Sequence, residues 1–374
     1  MRELLTGLDH WRAQGKRCAV ARVVDVDGSG PREPGAAMAV NEDGEVLGSV
    51  SGGCVEGAVV SAALELIERD EAELVSFGYS DNDALAVGLT CGGTIHLVIQ
   101  PFAQLIGFEQ LAEAVRAGEP VVLASVVQAE DQLGATALVR PGRPLLGSLG
   151  NAELDRVVAR DAAGELGQAR VRRYGPRGEA RRSDVGVFVQ PFLPPARMII
   201  FGAVDFAGAL SQVASVLGFR VTLCDAREMF ATRARFPHAD EVLVDWPHRL
   251  LARIGPSLTP RDAICVLTHE AKFDVPAVLA ALQTQVGYLG AMGSRRTHDD
   301  RLERLRAAGA DEADLDRLHS PIGLDLGART PEETAVSICA EIIALRSGVE
   351  VVQPLGRTRG PIHPQLRLLQ ASGE

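Results

Sequence analysis

From Arg197 onward, short apolar runs alternate with stretches of helical periodicity, and no other feature narrows the fold of this 374-residue chain as far. The runs 197–202, 221–224, 241–244, 263–267 and 286–289 read as strands. The stretches 206–217, 275–283, 297–308 and 331–346 read as helices, the first carrying Leu210, Val213, Ala214 and Leu217 at helical spacing. The last opens Thr330-Pro331-Glu332-Glu333: an N-cap, a proline at the first helical position and acid in the first turn. Strands that alternate with helices need crossover connections. This predicts a Rossmann-like, doubly wound parallel sheet over 196–346. Residues 347–374, rich in Gly, Pro and Arg, are expected to form an irregular tail.

The linker Gln190-Pro191-Phe192-Leu193-Pro194-Pro195 closes a stretch of different texture, in which strand-like runs are separated by Gly-rich turns such as Asp27-Gly28-Ser29-Gly30-Pro31. Residues 1–193 are therefore expected to form an α+β domain, and they contain a diverged internal repeat, about 5–102 and 105–192. LDHWRAQGKRCAVARVV (8–24) lies on LAEAVRAGEPVVLASVV (111–127). GAAMAVNEDGEVLGSV (35–50) lies on GATALVRPGRPLLGSL (134–149), and VIQPF (98–102) on FVQPF (188–192). Each copy predicts a helix, a strand, a hairpin and a second helix. The copies differ after the hairpin, where the first reads Ser51-Gly52-Gly53-Cys54-Val55-Glu56 and the second Gly150-Asn151-Ala152-Glu153. The first also carries Thr90-Cys91-Gly92-Gly93, without counterpart in the second. What the copies share reads as scaffold, and the Cys-Gly elements as what the scaffold carries.

Composition excludes several classes of function. With 38 basic and 49 acidic residues, a formal net charge of −11 lacks the footprint of a nucleic-acid binder. The same charge disfavours an anionic membrane surface. No segment approaches the roughly 18 uninterrupted apolar residues of a membrane span. The N-terminal stretch has no apolar signal core, which predicts a cytoplasmic protein. Its six cysteines, without C-x-x-C spacing, are expected to be reduced thiols in a chain large enough to need no stapling. All basic residues but Lys16 and Lys272 are arginines.

Three elements can carry chemistry. Ser51 to Glu56 precede an apolar helix (57–67), so the turn brings Cys54 to a helix N-terminus, where the dipole favours thiolate. A thiolate there can ligate a soft metal, carry sulfur or attack an electrophile; a small buried cysteine fits the same pattern. Cys91, Gly92 and Gly93, followed by His96, form a similar setting, and a Cys54–Cys91 disulfide stays open. Zinc is disfavoured, because paired ligand spacing is absent.

The second element, Gly202-Ala203-Val204-Asp205-Phe206-Ala207, is placed like a dinucleotide-binding turn, with Asp225 ending the next strand. Val204 stands where that turn wants glycine, and Asp205 puts negative charge where a phosphate would sit. The turn reads as a scaffold whose ligand is lost or altered. The third element is a set of loops at predicted strand ends. Gly293-Ser294-Arg295-Arg296-Thr297-His298 suits an oxyanion at a helix N-terminus. Thr268 to Asp274 brings Lys272 and Asp274 to the same edge, and 320–328 is rich in glycine. Together they predict a pocket for an anionic ligand.

GSVSGGCVE (48–56), LTCGG (89–93), RFPHADEVLVDWP (235–247), LTHEAKFD (267–274), YLGAMGSRRTH (288–298) and PIGLDLGARTPEE (321–333) resemble the XdhC/CoxI family, in order, over about 5–345. These are accessory proteins of xanthine dehydrogenase and related molybdenum hydroxylases. The resemblance implies a cytoplasmic, often dimeric factor that binds molybdenum cofactor (molybdopterin, in some forms a dinucleotide), assists its sulfuration and delivers it to the apoenzyme. A cysteine desulfurase is then the expected sulfur donor. The family's Cys-bearing motif falls on Cys54, the implied contact for molybdenum, and its second Cys-Gly-Gly on Cys91. Relatives usually read G-A-G-H at the first Rossmann turn, where this chain has Gly202-Ala203-Val204-Asp205. Two other readings of the residues stay open: an NAD(P)-dependent oxidoreductase using the Rossmann domain, and a zinc or redox-sensing regulator.

Overall fold

The computed structural model describes residues 1–28, 30–78, 93–129, 131–164, 167, 169–180 and 182–359. It divides into two compact units, Met1–Pro194 with the segment from Leu355, and Pro195–Pro354.

In the first unit, α1 (Leu5–Ala13) leads into β1 (Cys18–Asp27), the hairpin β2 (Ala37–Asn41) and β3 (Val46–Gly48), then α2 (Glu56–Arg69), β4 (Glu73–Phe77) and β5 (Thr94–Pro101). The second copy runs α3 (Phe108–Ala117), β6 (Val121–Gln128), β7 (Thr136–Val139), β8 (Leu146–Gly147), α4 (Ala152–Gly164), β9 (Arg170–Tyr174) and β10 (Val185–Phe192). Among the described residues these form two antiparallel sheets of the same order, β3-β2-β1-β5-β4 and β8-β7-β6-β10-β9. The repeat read in the sequence is thus a repeat of topology, and it extends to a defect. The ladder of β1 with β5 skips Val24, and that of β6 with β10 skips Val127, the residue aligned with it.

β1 is buried at every position from Cys18 to Val24, because both of its faces are covered. Ala19, Ala21 and Val23 pack with Val59, Ala63 and Leu66 of α2. Cys18 and Val20 belong to a core shared with Leu111, Val121 and Leu123 of the second copy. In β6, Val122, Ala124 and Val126 likewise face Leu154 and Val158 of α4. A strand covered on two sides reads as an unbroken apolar run. The exception is Arg22, fully buried, whose Nη2 donates to Gln100 Oε1 (2.6 Å) and to Ser125 Oγ (2.9 Å). Ser125 is the residue aligned with Arg22. The exchange is reciprocal elsewhere: Gln100 Nε2 donates to the Gly134 carbonyl of the second copy (3.2 Å), and Gln190 Nε2 to the aligned Gly35 carbonyl of the first (2.9 Å). The copies therefore pack about a local pseudo-two-fold.

The second unit comprises β11 (Arg197–Phe201), α5 (Asp205–Val216), β12 (Arg220–Asp225), β13 (Glu241–Val244), α6 (Pro247–Ile254), β14 (Ala263–Val266), α7 (Ala271–Leu282), β15 (Tyr288–Ala291), α8 (Arg295–Ala307), α9 (Glu312–Leu315), β16 (Leu318–His319) and α10 (Pro331–Arg346). Its parallel sheet has the order β13-β12-β11-β14-β15-β16, the doubly wound order predicted. Met198 and Ile200 face α5 and α10, while Ile199 and Phe201 face α6 and α7.

The sequence placed the fifth strand at 286–289, whereas the ladder runs from Tyr288, paired with Ala263, to Ala291. Val286 is buried against the helices instead, so its apolar character marked burial and not pairing. α7 starts earlier than expected, with Pro276 inside it. α6, α9 and β16 add to the elements expected from the sequence, and Pro247 at the first position of α6 is the signal that marks that helix. No helix among the described residues is long and apolar enough to cross a membrane.

Candidate functional site

In the first unit, the loop before α2 is built around a carboxylate of its own. Glu56 Oε1 accepts from Ser49 Oγ (2.6 Å), Ser51 N (2.9 Å) and Val50 N (3.3 Å). Its Oε2 accepts from Gly53 N (2.9 Å), Val55 N (3.2 Å) and the Ser51 hydroxyl. Ser51 Oγ in turn accepts from the backbone of Cys54 and Val55, both at 3.0 Å. Burial pulls the Glu56 pKa up, but the serine hydroxyls and backbone amides outweigh it and hold the carboxyl at about 2.

Gly52 and Gly53 sit at φ 75° and 117°, conformations that side-chain-bearing residues rarely adopt, and a Cβ on either would meet open space. Ser51 and Glu56, read as ligand contacts, are therefore the brace of the loop. What the brace presents is Cys54, a half-buried thiol immediately before the N-cap of α2. Cys91 and Gly92 lie outside the described residues. Gly93 is buried. His96 is held between Ser76 Oγ (2.7 Å) and Asp27 Oδ2 (2.9 Å).

In the second unit, the strand ends sort the predicted residues into occupied and unoccupied. Gly202, at φ 113°, lies so close to the next loop that a Cβ would come within 2.8 Å of Thr268 Cγ2. Asp225 is not available to a ribose: its carboxylate accepts from Ala203 N (2.7 Å), Arg227 N (2.9 Å) and the Arg227 guanidinium (2.8 and 3.0 Å). Burial opposes ionisation, yet these bonds hold its pKa below the ordinary value.

Lys272 is largely exposed in the first turn of α7, paired with Glu270 at 2.8 Å. Asp274 is buried, accepting from the Thr268 hydroxyl and from Arg301 Nη2 (3.1 Å). Asp274, expected as a ligand contact, is thus internal support, while Lys272 carries a surface ion pair. The spacing that put them near the sheet edge says nothing about the partners supplied by distant loops.

Arg301, which the sequence reading passed over, is the hub beneath these loops. Buried to 2% exposure, it also donates to the Met292 carbonyl (2.7 Å) and to Ser320 Oγ (3.0 Å). Only its place one turn beyond His298 on the predicted helix could have suggested it.

Above this support lies an open cleft of about 360 Å³. Its apolar walls are Phe206, Met292 and Ile322, and its polar groups are His269, Ser294 and Thr334 around the Gly293 backbone. Ser294 caps α8 by accepting from Thr297 N (3.1 Å), and His298 N donates back to the Ser294 carbonyl (2.9 Å). Arg295 and Arg296 follow directly on the first turn of α8, both exposed, and neither has an ion pair among the described residues. A helix N-terminus at the edge of the cleft, followed in the first turn by two guanidiniums, suits a ligand that carries an anion.

Such a molecule belongs to the class of α/β proteins in which a Rossmann unit is joined to an α+β module bearing a cysteine loop. The profile described as the XdhC Rossmann domain matches residues 198–342, and that of the XdhC and CoxI family matches 11–78 and 114–175. The chain belongs to the XdhC/CoxI family. It is 28% identical over 355 residues to a Bacillus subtilis protein named as a probable xanthine dehydrogenase subunit, covering 93% of this chain and 98% of that one. It is 25% identical to the molybdenum cofactor insertion chaperone PaoD of Escherichia coli, over 89% of this chain and 84% of that one. A crystal structure described as a xanthine dehydrogenase from Bacillus halodurans superposes with a TM-score of 0.70 at 26% identity, over 94% and 98% of the two chains.

Proposed function

We propose that this protein binds molybdenum cofactor, assists its sulfuration and delivers it to a xanthine dehydrogenase-like molybdenum hydroxylase. The observation that carries this reading is the contrast at the strand ends. Asp225, Lys272 and Asp274 are paired within the protein, while Arg295 and Arg296 have no ion pair among the described residues and follow Ser294, which lines an apolar cleft. The cofactor is a pterin with a dithiolene-bound metal and a phosphate. The cleft's Phe206, Met292 and Ile322 take the ring, and the guanidiniums with the α8 N-terminus take the phosphate. The first unit by itself presents the Cys54 thiol on the loop braced by Glu56, a soft donor of the kind that suits molybdenum. The similarity to a relative named as an insertion chaperone supports the same reading.

The protein is then a carrier without turnover chemistry, acting in the cytoplasm as a homodimer. The molybdenum hydroxylase apoenzyme is its partner and a cysteine desulfurase its sulfur donor. An NAD(P)-dependent oxidoreductase would need the carboxylate at Asp225 for a ribose, and Arg227 holds it.

The test is equilibrium ultrafiltration of the full chain with molybdenum cofactor released from a purified molybdoenzyme. About one cofactor per chain is expected, and Arg295→Ala with Arg296→Ala should weaken binding by about tenfold or more. No binding by the wild-type chain would sink the proposal.

A further inference from the structure

Among the described residues of the first unit, Arg22 is the only charged side chain buried in the core. Charged groups are rarely buried without an opposite charge, because their lost hydration has to be replaced. No such charge meets Arg22. Its Nη2 is bonded to two neutral groups, Gln100 Oε1 and Ser125 Oγ. The Phe188 ring, with its centroid 6.0 Å away, adds only a weak cation–π contact. The acids of the same strand are engaged elsewhere, Asp25 with the amide of Val26 and Asp27 with His96. Burial lowers the Arg22 pKa to about 10, which leaves the group charged at neutral pH.

The guanidinium also has donors to spare. Nε and Nη1 are buried and have no hydrogen-bond partner among the described residues. Ordered water would satisfy these N–H groups, but it would leave a positive charge uncompensated in a core of low dielectric. The second copy has no such deficit, because the residue aligned with Arg22 is the neutral Ser125. The duplicated scaffold therefore closes without a charge at the equivalent point, and Arg22 is an addition to it.

We infer that the first unit carries a buried anion site at its pseudo-two-fold, where the unbonded N–H groups of Arg22 hold a small monovalent anion, chloride. A monatomic anion balances one guanidinium without the bulk or the second charge of a phosphate. The site is independent of any cofactor bound elsewhere. A ligand that binds the folded chain and not the unfolded one stabilises the fold by mass action, so the stability of the protein follows chloride.

The test is urea unfolding of the full chain in mixtures of sodium chloride and sodium gluconate, with ionic strength held constant so that screening does not change. Once the site is saturated, the folded-to-unfolded ratio of the wild-type chain should rise about tenfold for each tenfold rise in chloride. Arg22→Met keeps the bulk of the stem, removes the charge and should abolish that dependence. Equal dependence in wild type and variant, or none in the wild type, overturns the inference. If Arg22→Met does not fold, wild-type crystals grown in bromide decide the matter. An anomalous peak within hydrogen-bond reach of Arg22 Nε or Nη1 is expected, and the absence of a peak there overturns the inference.

Discussion

The two copies in the first unit share a skeleton and differ in what it presents. Both turn from the hairpin into the helix through a serine–carboxylate clamp of the same span, Ser49 to Glu56 and Ser148 to Asp155. The first clamp draws the amides of Val50, Ser51, Gly53 and Val55 onto Glu56. The second draws in only Leu149 N, at 2.7 Å, and Asn151 Oδ1 takes over the capping of α4 from Glu153 N (2.9 Å). The richer clamp sits under the loop with two left-handed glycines and a thiol. A loop that must present a cysteine in a strained turn is held more tightly than a loop that only connects.

The largest effect should strike both copies alike. Gly48 and Gly147 have φ of 73° and 84°, and a Cβ on either would fall 2.5 or 2.4 Å from the carbonyl oxygen of Ala37 or Thr136. Gly48→Ala and Gly147→Ala should each cost about 3–4 kcal/mol in denaturant unfolding, from the left-handed penalty and the forced shift together. A large difference between them would break the equivalence of the scaffolds.

The clamps should then separate the copies. Glu56→Ala strands the four amides and two serine hydroxyls and is expected to cost about 3 kcal/mol, whereas Asp155→Ala strands one of each and should cost about 1 kcal/mol. The same asymmetry appears with pH. Glu56 stays ionised down to about 2 in the folded protein, against an ordinary value of 4.5. Its contribution, about 2 kcal/mol once solvent screening is allowed for, is full above the ordinary value and is lost as pH falls towards 2. Glu56→Gln should flatten that part of the acid limb of a stability–pH profile, and an unchanged limb would refute the brace.

A smaller effect is expected at the tip. Gly52→Ala and Gly53→Ala meet no steric obstacle and should cost only the conformational penalty, about 1 kcal/mol each. The smallest change in stability, within about 0.5 kcal/mol, is expected for Cys54→Ala. That variant should nonetheless weaken retention of molybdenum cofactor in the ultrafiltration assay. Unchanged retention would make Cys54 as passive as its counterpart Glu153.

Much of this architecture was legible because it rests on local rules. Thr330-Pro331-Glu332-Glu333 announced α10, and the capping box forms, with Thr330 Oγ1 accepting from Glu333 N at 3.2 Å. The site was less legible. Glu56 and Cys54 stand in one motif, and sequence does not distinguish a carboxylate facing a ligand from one facing its own loop. Asp274 looked like an acid at a sheet edge until Arg301, on a different helix, reached it. Partners of this kind lie far apart along the chain and leave no periodic trace.

The sequence by itself determined the repeat, the doubly wound sheet and most of its strands and helices, since apolar spacing, caps and turn residues act within a few positions and repeat faithfully. Only the tertiary structure decided which charges are spent. Arg22 meets its aligned residue Ser125 across the pseudo-two-fold, Arg227 takes the acid that a nucleotide would need, and Arg295 and Arg296 keep no ion pair among the described residues. Burying a charge or leaving it open depends on which groups long-range packing brings within about 3 Å, and hydrogen bonds at that distance outweigh anything a local pattern encodes.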